Sequence, residues 1–191
     1  MKIYLTDQQK KLPEYLEFFK KQPVMSYDKS ELTEKTSIVE IETIKKLGDL
    51  NADILLDYRI FPNRIMTHLA QWNFENRKMK VGDTIVQQAF IPPFRNFSQK
   101  IIFGVRINDV MNEPAKSGFS YETLVGHVER GISIFTIEKL SSSKSVFKIQ
   151  TFSKPGNILT QVIGPIFSVP YQTYCTRQAL KNVKRQLVDG R

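Results

Sequence analysis

Four side chains capable of chemistry lie in one short stretch, at Tyr121, Thr123, His127 and Glu129. A tyrosine offers a ring that packs on a ligand and a hydroxyl that orients it, and a histidine exchanges a proton near neutral pH. Alternation along a strand puts Tyr121 and Thr123 on one face, whereas His127 and Glu129 fall at or beyond the following turn. If that face points inward, Tyr121 and His127 are the candidates for acid and base catalysis.

Each of these side chains also has a purely structural interpretation. Tyr121 is equally well explained as a core aromatic residue whose hydroxyl is satisfied, so both interpretations stay open. His127 lies between glycines and charged residues, and we expect it to be a solvated turn residue. Catalysis is therefore an alternative, and we expect a protein that is not an enzyme.

Other chemistries find little support in the sequence. The chain has two histidines and one cysteine, and His68, His127 and Cys175 are too far apart to form a metal-ligand motif. The stretch around Ser120 lacks the second glycine of a nucleophile elbow, and no phosphate-cradling glycine loop is present. We expect neither a metal nor a cofactor.

Composition predicts a globular chain with an aromatic core. The 191 residues include 13 Phe and 7 Tyr but one Trp, with 41% hydrophobic residues. We expect one domain, 1–191, in the cytoplasm, because one cysteine forms no internal disulfide and no export sequence is evident. The apolar window 158–171 is interrupted by Gly164, Pro165 and Pro170, and it is shorter than the roughly 20 residues of a membrane span. We expect no integral membrane segment.

The net charge of +9 is unevenly distributed. Residues 1–50 are neutral in sum, so the excess lies in 51–191. Arg177, Lys181 and Lys184 share one helical face, for which a solvated outer surface is the simplest interpretation. A peripheral anionic surface remains an alternative partner. Nucleic acid is less favoured, because no aromatic platform accompanies these cations.

Hydrophobic periodicity predicts strands at 36–44, 84–91, 101–108 and 146–152, and a hairpin within 118–138. Short links between strands indicate antiparallel neighbours. Helices are predicted near Pro13, at 63–74, and at 157–188, the last bent or broken at Gly164-Pro165 and Pro170. Segment 53–60 fits either a strand or a helix.

These elements predict an α+β fold in which an antiparallel meander wraps around a long C-terminal α-helix. The sheet must cover that helix, since no other segment remains to bury its apolar residues. Residues 1–35 form an N-terminal helix and extension, and 36–191 form the core. The N-terminal helix presents Leu12, Tyr15, Leu16 and Phe19 on one side, so we expect it to dock on the core.

Several motifs resemble one known family. They are Val81-Gly82-Asp83-Thr84, the run from Gly118 to His127, Phe152-Ser153-Lys154-Pro155, and Gly164-Pro165 followed by Tyr171 and Tyr174. Over roughly residues 60–185 the chain resembles DUF1990, a bacterial and plant family without an established activity. That family is similar to the START and Bet v 1-like (SRPBCC, helix-grip) group, in which a sheet and a long helix enclose a cavity.

The chain departs from the family pattern at three places. Glu122 replaces a usual glycine, Gly131-Ile132-Ser133 replaces a Gly-Glu-Glu run, and Trp72 is not followed by the usual histidine. The resemblance therefore implies a fold and a cavity but no particular reaction.

From the aromatic surplus and the resemblance we predict a binding protein for a small hydrophobic or aromatic ligand, held between sheet and helix. The predicted lining residues are Trp72, Phe103, Phe119, Tyr121, Thr123, Phe135, Phe152, Phe167 and Tyr171. The alternatives are an enzyme that uses Tyr121 and His127 in the same pocket, and an interaction protein that uses its basic C-terminal helix.

Overall fold

A computed structural model describes residues 2–42, 53–92, 98–156 and 158–189, with 158–169 and 189 described by backbone alone. The strands are β1 (Lys2–Tyr4), β2 (Thr33–Glu42), β3 (Met66–Ala70), β4 (Thr84–Ile91), β5 (Gln99–Glu113), β6 (Lys116–Thr123), β7 (Glu129–Lys139) and β8 (Lys144–Pro155). The α-helices are α1 (Leu12–Lys20), α2 (Asp53–Leu56), α3 (Gln71–Phe74) and α4 (Ile158–Asp189).

The strands form one antiparallel sheet in the order β2-β8-β7-β6-β5-β4-β3. Strands β3 to β8 each pair with the next strand in sequence, which is the predicted meander. Strand β2 lies at one end of this order and pairs with β8. β1 pairs with β5 at residues 100–102, beside the end of β6. A bulge between Ile107 and Asp109 keeps Val110 in the core after the change of register.

Helix α4 packs against one face of this sheet, which we call the inner face. Its buried residues Cys175, Ala179, Val183 and Leu187 recur every four positions and join the main core. The predicted class, an antiparallel meander with a long C-terminal helix packed on it, is confirmed. The helix continues through Gly164-Pro165 and Pro170, so the predicted break is absent.

Helix α1 packs against the opposite face, which we call the outer face. Leu12, Leu16 and Phe19 are at most 2% exposed and contact Val86 and Ile102. The expected docking of this helix is thus present.

The C-terminal end of α1 is tied to the sheet by Arg106. Its guanidinium donates hydrogen bonds to the carbonyls of Phe19, Lys20 and Gln22, at 3.1, 3.1 and 3.2 Å. These carbonyls belong to the end of the helix, where backbone acceptors lack helical partners.

The predicted helix at 63–74 is wrong. Residues Met66–Ala70 form strand β3, paired with β4, and only Gln71–Phe74 are helical. Both faces of β3 are covered, since Met66 and Ala70 join the main core while Leu69 packs beside α1. This cover on both sides hides the two-residue period, and the apolar residues Ile65, Met66, Leu69 and Trp72 recur at a spacing that also fits one face of a helix. In segment 53–60, Asp53–Leu56 is helical and a turn follows.

Other expected boundaries are close to the observed ones. Strand β4 has the predicted limits, and β5, β8 and β2 extend beyond their predicted ranges. The predicted end of β2 at residues 43–44 lies outside the described residues.

We expect Gly104→Ala to destabilise the protein. A Cβ at position 104 would lie 2.7 Å from Cγ and Cδ1 of Phe19, so α1 or its ring must move. We expect the free energy of unfolding in urea to fall by about 1–3 kcal/mol. In a Phe19→Ala background the cost of the same change should nearly vanish. An equal cost in both backgrounds would show that Phe19 is not the obstacle.

Candidate functional site

The inner face carries a cluster of mutually contacting aromatic rings. Phe119 stacks on Phe135 with centroids 5.2 Å apart, and Tyr121 lies 5.3 Å from Phe135. Tyr58 approaches Phe119 at 5.9 Å and Tyr121 at 6.3 Å, and Phe61 approaches Phe135 at 6.4 Å. The structure thus brings together three residues predicted from sequence and two that were not.

A row of polar side chains crosses the same face beside this cluster. The strand register aligns Tyr121 of β6, Ser133 of β7, Thr151 of β8 and Lys35 of β2. We call these four residues the polar lane. Tyr121 is 9% exposed, Ser133 and Thr151 are half-buried, and Lys35 is exposed. The lane therefore runs from solvent at the β2 edge to the buried core.

The buried end of the lane continues into Tyr58 and Gln87. The Gln87 amide donates a hydrogen bond of 2.7 Å to the Tyr58 hydroxyl, and both residues are 1% exposed. Tyr58 has φ of +57° because it caps the C-terminus of α2: the Tyr58 N–H donates to the Leu55 carbonyl at 2.9 Å and the Arg59 N–H to the Ile54 carbonyl at 2.8 Å. Its position depends on a turn after α2, which no local sequence pattern indicates.

The two tyrosine hydroxyls stay protonated at neutral pH. Burial raises the pKa of Tyr58 well above its ordinary value, and burial also raises the pKa of Tyr121. Hydrogen bonding with Ser133 and Tyr58 counteracts part of the rise at Tyr121. A protonated hydroxyl both donates and accepts, so this end of the lane can orient a polar group of a ligand.

Glu129 stands beside the exposed end of the lane. Gln172 of α4 donates a hydrogen bond to Oε1 of Glu129, and Lys35 donates to Oε1 of Gln172 at 3.5 Å. Burial raises the pKa of Glu129, while the charge of Lys35 acts in the opposite direction. These contacts tie the edge of the sheet to α4.

The expectation that His127 is a solvated turn residue is wrong. Its ring is 8% exposed and meets the Phe103 ring edge-on at 4.4 Å. The Glu129 N–H donates to Nδ1 of His127 at 2.9 Å, and burial lowers the pKa of His127 to about 3. Phe103 comes from β5, so sequence near the turn could not reveal this contact. A base of such low pKa is poorly matched to neutral pH, which weakens the catalytic alternative.

Thr123 and Gly131 together fix the end of the β6–β7 hairpin. The Gly131 N–H donates a hydrogen bond of 3.1 Å to Oγ1 of Thr123. The hydroxyl of Thr123, which was predicted to line the pocket, therefore binds the backbone of the hairpin. Gly131 has φ of +147°, and a Cβ there would lie 1.9 Å from the Phe152 carbonyl oxygen. Only glycine fits this position.

The remaining predicted lining residues differ in place. Trp72 is 1% exposed in the main core, and its indole N–H has no partner among the described residues. Tyr171 is half-buried and packs on the same core. Phe152 pairs with Ile132 and alternates with Thr151, which places it on the outer face. We therefore remove Phe152 from the lining. Phe167 lies outside the described side chains.

The motif Val81-Gly82-Asp83-Thr84 is structural. Asp83 is 1% exposed, and Arg77 donates two hydrogen bonds to its carboxylate at 2.6 and 2.7 Å. The Lys80 N–H donates a third at 2.9 Å, and Gly82 takes φ of +89°. The ion pair between Arg77 and Asp83 closes the turn before β4 and so positions the strand that carries Gln87.

Metal binding finds no support in this part of the molecule. Among the described residues, no group of three or more His, Cys, Asp or Glu side chains is arranged to hold an ion. Within the same residues, no helix combines the length and the apolar character that crossing a membrane requires.

Comparison with solved structures supports the fold class defined by the antiparallel sheet and the long C-terminal helix α4. The fold is similar to that of a hypothetical protein, jhp0584, from Helicobacter pylori, with a TM-score of 0.53, 11% identity, and coverage of 88% of this chain and 97% of the other. It is also similar to protein Ms6760 from Mycobacterium smegmatis, with a TM-score of 0.51, 14% identity and coverage of 88% and 100%.

A third similar structure is norcoclaurine synthase from Thalictrum flavum, solved in complex with dopamine and hydroxybenzaldehyde. Its TM-score is 0.51 at 10% identity, with 90% of this chain and 98% of the other covered. The chain therefore has the Bet v 1-like helix-grip fold. At such identities the similarity shows the fold alone.

The family model for the domain of unknown function DUF1990 matches residues 49–182. The chain belongs to the DUF1990 family, as its motifs indicated. Among curated proteins, none matches this sequence.

We expect Asp83→Asn to lower the free energy of unfolding by about 2 kcal/mol, because it removes the charge of a buried carboxylate that accepts hydrogen bonds from Arg77 and from the Lys80 N–H. The matched control is Glu40→Gln, whose carboxylate meets Lys144 at 3.5 Å with both side chains more than half exposed. We expect the control to change stability by less than about 1 kcal/mol. Equal effects of the two changes in urea unfolding would contradict a structural role for the motif.

Burial of His127 predicts a pH dependence of stability. The unfolded chain binds a proton at this residue below about pH 6.5. The folded protein resists protonation until about pH 3. Stability is therefore fully present above pH 6.5 and is lost as the pH falls through this window. We expect His127→Asn to reduce the slope between pH 6 and 5 by about 1 kcal/mol per pH unit. Unchanged slopes in urea unfolding would mean that His127 is not buried in its neutral form.

Proposed function

We propose that the protein binds a small aromatic or apolar molecule that also carries a hydrogen-bonding group, on the inner face beneath α4. The observation that carries this proposal is the polar lane beside the aromatic cluster. Ligand sites are mostly apolar and contain a few polar groups that set orientation. Here the buried rings of Phe119 and Phe135 form the apolar side of the proposed site, next to the lane. The hydroxyls of Tyr121, Ser133 and Thr151 supply the polar groups.

The dimensions of the lane limit the size of the ligand. Neighbouring strands lie about 4.8 Å apart, so four residues on adjacent strands span about 15 Å. A single aromatic ring or two fused rings fit within that length. The ligand enters past Lys35 and Gln172, where the lane is exposed, and its polar group reaches the protonated hydroxyls of Tyr121 and Tyr58.

The composition of the lane favours recognition by hydrogen bonds over recognition by charge. The inner half of the lane presents the hydroxyls of Tyr121 and Ser133, next to the hydroxyl of Tyr58 and the amide of Gln87. Ser133 stands within the run where the family pattern usually has acidic residues, so this chain presents a small neutral group there. A neutral phenol or alcohol suits this environment, because an isolated charge is costly to bury.

The direct test compares 2-naphthol with naphthalene, which has the same rings and no hydroxyl. We expect both to bind to the full chain, with 2-naphthol the tighter ligand in a fluorescence titration. Tyr121→Phe should weaken 2-naphthol binding about five-fold, the effect of one hydrogen bond of about 1 kcal/mol, and should leave naphthalene binding unchanged. The control is Tyr15→Phe, whose hydroxyl bonds Tyr4 on the outer side of the sheet.

A second pair of variants tests location. Thr151→Trp should fill the lane and abolish binding of both probes, whereas Ile134→Trp on the outer face should not. If wild-type protein binds neither probe, or if Ile134→Trp is the blocking variant, the proposal is wrong. If the protein passes these tests, native mass spectrometry of protein purified from its own host would identify the natural ligand.

A further inference from the structure

The outward side of α4 carries a basic stripe that is separate from the inner face. Opposite its buried residues, α4 exposes Arg177, Lys181 and Lys184, with Tyr174 one turn before them and Val188 one turn after. The spacing of three and four residues puts all five on one helical face. The predicted solvent exposure of the three cations is thus observed.

The charges on this stripe are not neutralised within the described part of the molecule. Lys20, Lys148 and Lys154 each meet a carboxylate within 4.0 Å, whereas no such pair forms at Arg177, Lys181 or Lys184 among the described residues. The segment 170–188 contains no acidic residue. Successive cations of the stripe are about 6 and 4.5 Å apart along the helix, within the roughly 8 Å screening length at physiological salt, so their fields add.

A shallow depression of about 480 Å³ adjoins the stripe. Its described lining residues are Pro170, Thr173, Tyr174, Arg177, Gln178 and Lys181. The exposed Arg64 donates a hydrogen bond of 2.6 Å to Gln178, which brings a further cation to the edge of the depression. An anionic group seated here would meet several positive side chains at once.

We propose that this stripe docks the protein onto an anionic lipid membrane surface. Cations interleaved with partly exposed apolar and aromatic side chains, here Tyr174 at 37% and Val188 at 51%, suit the interface between headgroups and acyl chains. A single exposed tyrosine offers no stacking platform for bases, so nucleic acid is the less fitting partner. This site is independent of the proposed ligand, and either proposal survives failure of the other.

The test is co-sedimentation of the full chain with vesicles of phosphatidylcholine alone or with about one-third phosphatidylglycerol, at about 0.1 M and about 1 M salt. We expect binding only to the anionic vesicles, and only at the lower salt. The triple variant R177Q/K181Q/K184Q should lower the partition coefficient about 100-fold, close to five-fold for each cation. The charge-conserving variant R177K/K181R/K184R should retain binding.

The matched control is K10Q/K11Q/K21Q, which removes the same charge from exposed lysines flanking α1 on the outer face. An equal loss of binding in this control would show a response to net charge alone and would overturn the proposal. Absence of binding to anionic vesicles would overturn it as well. Tighter binding to a DNA duplex than to these vesicles, lost in the triple variant, would assign the stripe to nucleic acid instead.

Discussion

The contact between the buried side of α4 and the inner face is the constraint on which the rest of the structure depends. Cys175, Ala179, Val183 and Leu187 form a continuous apolar strip, and each large aliphatic side chain gains about 1.5–3 kcal/mol on burial. The sheet must therefore present one face to this helix. Tyr58 and its neighbours after α2 also pack on that face. The polar lane therefore lies beneath the helix and not on the exposed surface of the sheet.

The second requirement is that helix α1 covers the outer face of the sheet. Strands β3, β4 and β5 carry buried residues on both faces, and α1 buries the outer side of Val86 and Ile102. Gly104 allows the ring of Phe19 to approach the sheet, and Arg106 binds the carbonyls at the end of the helix. Helix α1 thus stabilises, from the outer face, the strands that carry Gln87 and Phe103, although the helix contributes no residue to the lane.

Sequence alone predicted those features that depend on short-range periodicity. The alternation from Ile101 to Asn108 identified both faces of β5, and the four-residue spacing after residue 158 identified α4. The same alternation from Phe147 to Thr151 places Phe152 on the outer face, so that lining prediction failed although its signal was present. Strand β3 was missed because cover on both sides removes the alternation.

The site itself could be predicted only in part. Phe119, Tyr121 and Phe135 were found because they belong to one hairpin, and the hairpin has a strong local pattern. The polar lane takes one residue from each of four strands, so it depends on register across the sheet. Tyr58 and the burial of His127 arise from contacts distant in sequence, which local patterns do not encode.

The central claim is that a ligand occupies the inner face, between the aromatic cluster and α4. Nuclear Overhauser contacts between bound 2-naphthol and methyl-labelled protein test this claim most directly. The structure predicts contacts from the probe to the methyl groups of Thr151 and Ile149, which face α4. Contacts confined to Ile134 and Val188, whose side chains face away from that interior, would contradict the account.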